Sequence, residues 1–194
     1  MNEPRLIPGE KILLHACCAP CSGVIIERLQ SQGLKVCVLF YNPNIHPAEE
    51  YDRRKTEQQL LAARMKAEFV ELRYDPGIWH AGIRGLEQEP ERGRRCERCF
   101  ALRLDRAAQY AAGNHFRIFT STLGISRFKD LDQVNRCGLE AATRYPGLTY
   151  WTFNWRKQGG SQRMAQLAKE QNLYRQQYCG CVYSMRQPAT NPST

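Results

Sequence analysis

The chain has 194 residues, 42% of them apolar, and a formal net charge of +9. A chain of that length buries a core without disulfide staples. It shows no secretory signal and no apolar run near the roughly 20 residues of a membrane span, so a cytoplasmic protein with no membrane partner is expected.

The apolar run "KILLHA" (11–16), bounded by turn residues, predicts a buried strand. "SGVIIERLQSQG" (22–33) predicts a helix, with Ser22 as its N-cap and Gly33 as its stop. "KVCVLFYNPN" (35–44) predicts a second strand, ended by Asn42 and Pro43. "PAEEYDRRKTEQQLLAARMKA" (47–67) predicts a helix with Pro47 in its first turn and acids early. "EFVELRYD" (68–75) predicts a third strand. The charged, glycine-bearing stretch 76–95 predicts a broken helix and loop, and "CERCFALRLDRAAQYAAGN" (96–114) a strong helix. "FRIFTSTLG" (116–124) predicts a fourth strand, and 128–145 a helix whose start Asp130 and Asp132 cap or stabilise. "LTYWTFNW" (148–155) predicts a fifth strand, and 161–177 the last helix.

Strands alternate with helices throughout, so the expected class is α/β with a parallel sheet of about five strands and right-handed crossovers. One domain is expected over 1–186, with 187–194 a disordered tail. Sites in such sheets form at the carboxyl ends of the strands. Three segments leave those ends: the cysteine loop, "YNPNIHP" and "STLGISRFKD". They are expected to converge on one cleft.

Nine cysteines stand mostly in clusters: 17, 18 and 21; 96 and 99; 179 and 181. In a reducing compartment such clusters are metal ligands or redox groups more often than staples. Cys96 and Cys99, at i and i+3, share one helix face. Cys96 lies near the edge of the stripe formed by Phe100, Leu104, Ala107, Ala108 and Ala111, and Cys99 and Arg103 lie just beyond it. The pair should face inward at a rim, where a helix N-terminus favours thiolate. One CxxC supplies two of about four ligands needed by a zinc ion or a four-iron cluster. Cys17 and Cys18 supply the other two if the backbone bends at the strand exit. A structural zinc site and a thioredoxin-like pair are the competing readings.

Cys179 and Cys181 flank one glycine, and Gly180 permits the backbone a very short disulfide loop would need. A redox-cycling pair is the preferred reading; two further metal ligands is the alternative. Cys21 either binds a second metal or lines the site. Cys37 and Cys137 read as small buried hydrophobes. His15 and His46 are acid/base or supporting candidates, although a lone histidine at a strand end is more often structural. There is no GxxxxGK[ST] and no GxGxxG, which disfavours nucleotide hydrolysis.

The charge of +9 points to a polyanion, nucleic acid above all, with a solvated basic surface as the plainer alternative. Basic and aromatic residues interleave in "YWTFNWRKQGGSQR" (150–163) and "YDRRK" (51–55). That mixture favours structured RNA or a splayed base over duplex DNA.

Five stretches, "LLHACCAPCSG", "YNPNIHPAEEYDRRK", "CERCFALRLDRAA", "STLGISRFKD" and "YCGCVYS", run in order from residue 13 to 184. Together they make the chain closely resemble the epoxyqueuosine reductase family of the QueH type. The resemblance implies a HUP-like, Rossmann-like fold and a [4Fe-4S] cluster held by Cys17, Cys18, Cys96 and Cys99. It implies Cys179 and Cys181 as a redox-active pair. It implies deoxygenation of epoxyqueuosine in tRNA to queuosine without cobalamin, fed by an unidentified electron donor. An additional iron or other divalent ion beside the cluster is also implied, with Cys21 the candidate ligand and Cys18 or Cys181 shared. A tRNA anticodon stem-loop is the expected partner. Arg53, Arg54, Arg94, Arg95, Arg156 and Lys157 are candidates for its phosphates, and Tyr41, Trp151 and Trp155 for its bases. A zinc-stabilised RNA-binding module and a thiol–disulfide oxidoreductase are the alternative functions.

Overall fold

A computed structural model of the protein describes residues 4–185. The expected tail at 187–194 lies outside the described residues. Five strands form one sheet in the order β3-β2-β1-β4-β5: β1 (Lys11–Ala16), β2 (Lys35–Phe40), β3 (Glu68–Glu71), β4 (Ile118–Ser121) and β5 (Thr149–Tyr150). Every neighbouring pair is parallel, as the alternation of elements requires. β1 is central, and five of its six side chains are buried, which is why it reads as an unbroken apolar run.

Six helices accompany the sheet: α1 (Ala19–Ser31), α2 (Ala48–Arg64), α3 (Pro76–Gly82), α4 (Arg94–Gly113), α5 (Leu131–Thr143) and α6 (Gly160–Glu170). α1 packs against α2 and α6, and α4 against α3 and α5, so the helices form two groups. The α5–β5 approach is close: a Cβ on Gly138 would stand 2.4 Å from the Tyr150 ring. Among the described residues, no helix is long and apolar enough to cross a membrane.

Asp130 caps α5 as expected, accepting from the backbone N–H groups of Asp132 and Gln133 at 2.9 and 3.1 Å. Gly33 follows the end of α1 with φ of +80°. Three expectations need correction. Ser22 does not cap α1; Cys18 holds the N-cap position, and the helix begins with Ala19 and Pro20. Ser22 is fully buried and donates to Gln58 Oε1 at 2.7 Å instead. The fifth strand is two residues long. Its partner β4 turns into a 3-10 helix at Thr122, so the ladder ends with the Trp151 N–H on the Phe119 carbonyl at 2.9 Å, and Trp151, Phe153 and Trp155 pack on one another at 4.7–5.7 Å. The last helix ends at Glu170: Asn172 takes φ of +48°, and Leu173 tucks against Leu61 and Leu167. The chain then runs across the sheet's carboxyl end, which brings residues 176–181 to the cysteines.

Candidate active site at the carboxyl end of the sheet

The sheet register sets the base of the site. His15 pairs with Ser121 across β1 and β4, and its Nδ1 lies 2.9 Å from Ser121 Oγ while Nε2–H reaches the Tyr41 carbonyl at 3.2 Å. Burial, then the nearby Arg103, lowers its pKa to about 3. His15 is therefore a neutral strut rather than an acid. Asn42 ties the β2 exit to the β1 exit, donating to the Ala16 carbonyl at 3.0 Å, and accepts from Arg103 Nη2 at 2.6 Å. The three expected exit segments do meet.

Cys17 and Cys18 follow β1, with their sulfurs 4.0 Å apart and both buried. Cys17 also lies 3.9 Å from Thr122 Oγ1 of the β4 exit. Gln176 donates to Cys18 Sγ at 3.0 Å across 158 residues of chain. α4 brings Cys96 and Cys99 as the i, i+3 spacing demands: Cys99 is buried and Cys96 half-buried at the rim, with the Arg92 N–H donating to Cys96 Sγ at 3.3 Å. Cys99 packs with Trp79, Ile83 and Cys181. Cys21 is buried on the first turn of α1. Cys37 and Cys137 are buried in the core as expected, with Cys137 donating to the Glu97 carbonyl.

Hydrogen bonding to Cys18, then burial, pushes the Cys17 thiol well above its ordinary pKa. At Cys18 the bond from Cys17 lowers the pKa, but the bond to Cys21 and burial outweigh it, giving about 12. Burial likewise lifts Cys99 to about 12. These thiols ionise only if a cation takes the sulfur. Among the described residues, no three Cys, His, Asp or Glu side chains stand close enough to enclose a single metal ion. A four-iron cluster spreads its ligands over separate iron corners, so it asks for sulfurs around a shared void rather than around a point.

Two cations face the thiols. Arg103 is 1% exposed, makes one hydrogen bond, to Asn42, and leaves its Nε unpartnered. Burial lowers its pKa, but the Cys99, Cys17 and Cys179 sulfurs more than restore it. Lys129, half-buried in the "STLGISRFKD" segment, responds likewise to Cys179, Cys17, Cys21 and Cys18. Neither has a carboxylate within 4.0 Å among the described residues. A buried guanidinium stays charged, so the pocket is built to hold negative sulfur. Sequence reasoning missed both as site residues. The available signal for Arg103 was its place four residues after Cys99 on the inward face.

The "YCGCVYS" segment is clamped from α2. Arg54, 1% exposed, binds Glu50 Oε1 at 2.7 Å and donates to the Tyr178 and Cys179 carbonyls, each at 3.1 Å. Gly180 adopts φ of +128°, and its carbonyl accepts from the His46 N–H at 2.8 Å. A Cβ at Gly180 would also stand a tight 3.0 Å from Ile45, so the positive φ favours glycine and the close neighbour adds to the cost of a side chain.

The expected RNA contacts divide. Arg53, Arg94 and Lys157 are exposed. Arg54 and Arg95 are buried, as are Tyr41, Trp151 and Trp155 at 2–6% exposure, so none of these five can meet a polynucleotide as the chain stands. Arg156 is committed to loop carbonyls.

Residues 12–187 match the family described as "Epoxyqueuosine reductase QueH". The "Epoxyqueuosine reductase QueH" of Acinetobacter baylyi is 48% identical over 191 residues, covering 96% of this chain and 88% of that protein. The protein of the same name from Histophilus somni is 51% identical, covering 91% and 72%. A solved structure, the "U34-tRNA thiolase NcsA from Methanococcus maripaludis with its [4Fe-4S] cluster", matches with a TM-score of 0.60 at 12% identity. That match covers 93% of this chain and 63% of the thiolase, and it is a likeness of fold.

Proposed function

The chain belongs to the epoxyqueuosine reductase QueH family, and on that premise we propose that it removes the epoxide oxygen of epoxyqueuosine in cytoplasmic tRNA to give queuosine. The observation that carries the reading is the set of buried thiols at the sheet's carboxyl end, with Arg103 sealed in beside them on α4 and no carboxylate within 4.0 Å of Arg103 or Lys129 among the described residues. Cys17, Cys18, Cys96 and Cys99 would hold a [4Fe-4S] cluster, a donor set that suits iron–sulfur chemistry. The chemistry it would supply there is one-electron transfer. Cys21, buried one turn into α1, is the thiol available to an additional iron or other divalent ion.

The remaining roles fall to this chain's own residues. Removing the epoxide oxygen as water takes two electrons and two protons. The dithiol of Cys179 and Cys181 supplies both as it becomes a disulfide, and an external donor restores it. Cys181 lies against Cys99 and Trp79, while Cys179 is half-buried. Arg54 and Gly180 hold both cysteines in place. His46, whose Nε2 is buried and unpartnered and whose pKa is lowered by burial and then by His80, supports this loop through its backbone.

Nucleoside analysis of tRNA from a strain lacking its own epoxyqueuosine reductase tests the function. Epoxyqueuosine should accumulate there and be converted to queuosine when this chain is expressed. Persistence of epoxyqueuosine in cells holding iron-loaded protein would sink the assignment.

Arg103→Met separates the electrostatic argument from folding. Without iron, the variant should lose at most about 1 kcal/mol, because an unpaired buried cation is itself costly. With iron bound, loss of a positive charge should lower the reduction potential by on the order of 50–150 mV. An unchanged potential would show that Arg103 does not face the iron.

A further inference from the structure

The loop 126–129 is built to hold two side chains in opposite directions. Arg92 donates from Nε to the Phe128 carbonyl and from Nη2 to the Arg127 carbonyl, each at 3.1 Å. Arg156 Nη2 reaches the carbonyls of Ser126 and Lys129, the latter at 2.9 Å. Two guanidiniums thus satisfy four consecutive carbonyls. The clamped backbone keeps Lys129 half-buried and turns Phe128 outward. At 59% exposure, Phe128 is the most exposed large apolar side chain among the described residues. The Arg127 guanidinium lies 5.0 Å from its ring.

A single exposed phenylalanine is ordinary. This one is held out by a loop whose backbone is fully engaged, beside the reacting centre. Arg92 joins the loop to Cys96 through its own N–H. Arg127, beside the Phe128 ring, is exposed and has no carboxylate within 4.0 Å of its guanidinium among the described residues. A flat π-face beside an uncommitted guanidinium matches an unstacked base flanked by phosphates.

We propose that loop 126–129 is the RNA-reading arm of the site: Phe128 stacks on an unpaired base of the anticodon loop beside the modified nucleoside, and Arg127 takes an adjacent phosphate. This rests on tRNA being the substrate. Duplex RNA offers the phosphates but no open base, so the arm distinguishes loop from stem.

The test compares wild type, Phe128→Ala, Phe128→Tyr and Arg127→Ala, all iron-loaded. The probes are an unmodified anticodon stem-loop transcript and a duplex RNA of equal length. Phe128→Ala should raise the stem-loop Kd about 5- to 100-fold and leave duplex binding within about twofold. Phe128→Tyr should bind the stem-loop within about twofold of wild type, since a tyrosine ring stacks as well. Arg127→Ala should weaken both RNAs and reduce the salt slope. Iron content and absorbance should stay at the wild-type level in every variant. Stem-loop binding by Phe128→Ala within about twofold of wild type overturns the arm, while wild type still reducing epoxyqueuosine keeps the function standing. A wild type that neither binds the stem-loop nor reduces tRNA overturns both.

Discussion

Cys99→Ser is expected to give a folded protein with markedly less iron than the about four per chain of wild type purified anaerobically, and at least about 1,000-fold lower turnover, a barrier increase of roughly 4 kcal/mol. Serine nearly preserves the shape of cysteine, but its hydroxyl does not ionise, so the corner ligand is lost. The fold should survive, because an unmatched buried hydroxyl costs only about 1–3 kcal/mol. Cys99 is the sharpest choice of the four proposed ligands. It is buried between Trp79, Ile83 and Cys181, whereas half-buried Cys96 has water as an alternative partner. Cys137→Ser is the matched control: Cys137 is 3% exposed and donates to the Glu97 carbonyl at 3.6 Å. It should lose similar stability with full iron and activity. A Cys99→Ser protein that keeps its iron removes Cys99 from the ligand set.

Arg54→Met is expected to cost about 3–5 kcal/mol of stability, because removing one partner of a buried ion pair strands the other. At this size that corresponds to a Tm lower by roughly 6–20 °C. The stranded group is Glu50, 8% exposed, which would keep only the Tyr174 hydroxyl at 2.8 Å. The Tyr178 and Cys179 carbonyls lose their donors at the same time. The segment carrying Cys179 and Cys181 should therefore loosen, and maleimide should trap both thiols faster in the reduced protein. Glu50→Gln added to Arg54→Met should recover part of the stability but none of the protection. Thermal unfolding within about 1 kcal/mol of wild type would mean the clamp is dispensable.

Arg53 and Arg54 show how far pattern reading reached. Both sit in "YDRRK", and both read as phosphate contacts. They are neighbours on one helix, so a turn of about 100° separates them. Arg53 is exposed over the Tyr174 ring at 4.9 Å, while Arg54 is sealed inside. Nothing local distinguishes them, because the acceptors that bury Arg54 lie 124 and 125 residues away. Trp151 and Trp155 misled for the same reason. An interleaved aromatic and basic run looks alike whether its rings meet RNA or one another. The helical cysteines were legible, because i, i+3 spacing and an apolar stripe are local properties of α4. So was Asp130, whose capping partners are two and three residues on.

What the residues determined alone is the order of strands and helices, the parallel sheet that order demands, and which loops carry sulfur. Each follows from periodicity, caps and turn residues within a few positions. What only the tertiary structure decided is the electrical character of the pocket. It chose Arg103 and Lys129 as inward cations, closed Arg54 over the Cys179–Cys181 loop, and brought Gln176 to Cys18 across 158 residues. A charge is buried or exposed according to every segment packed around it, and those segments meet only when the sheet has assembled.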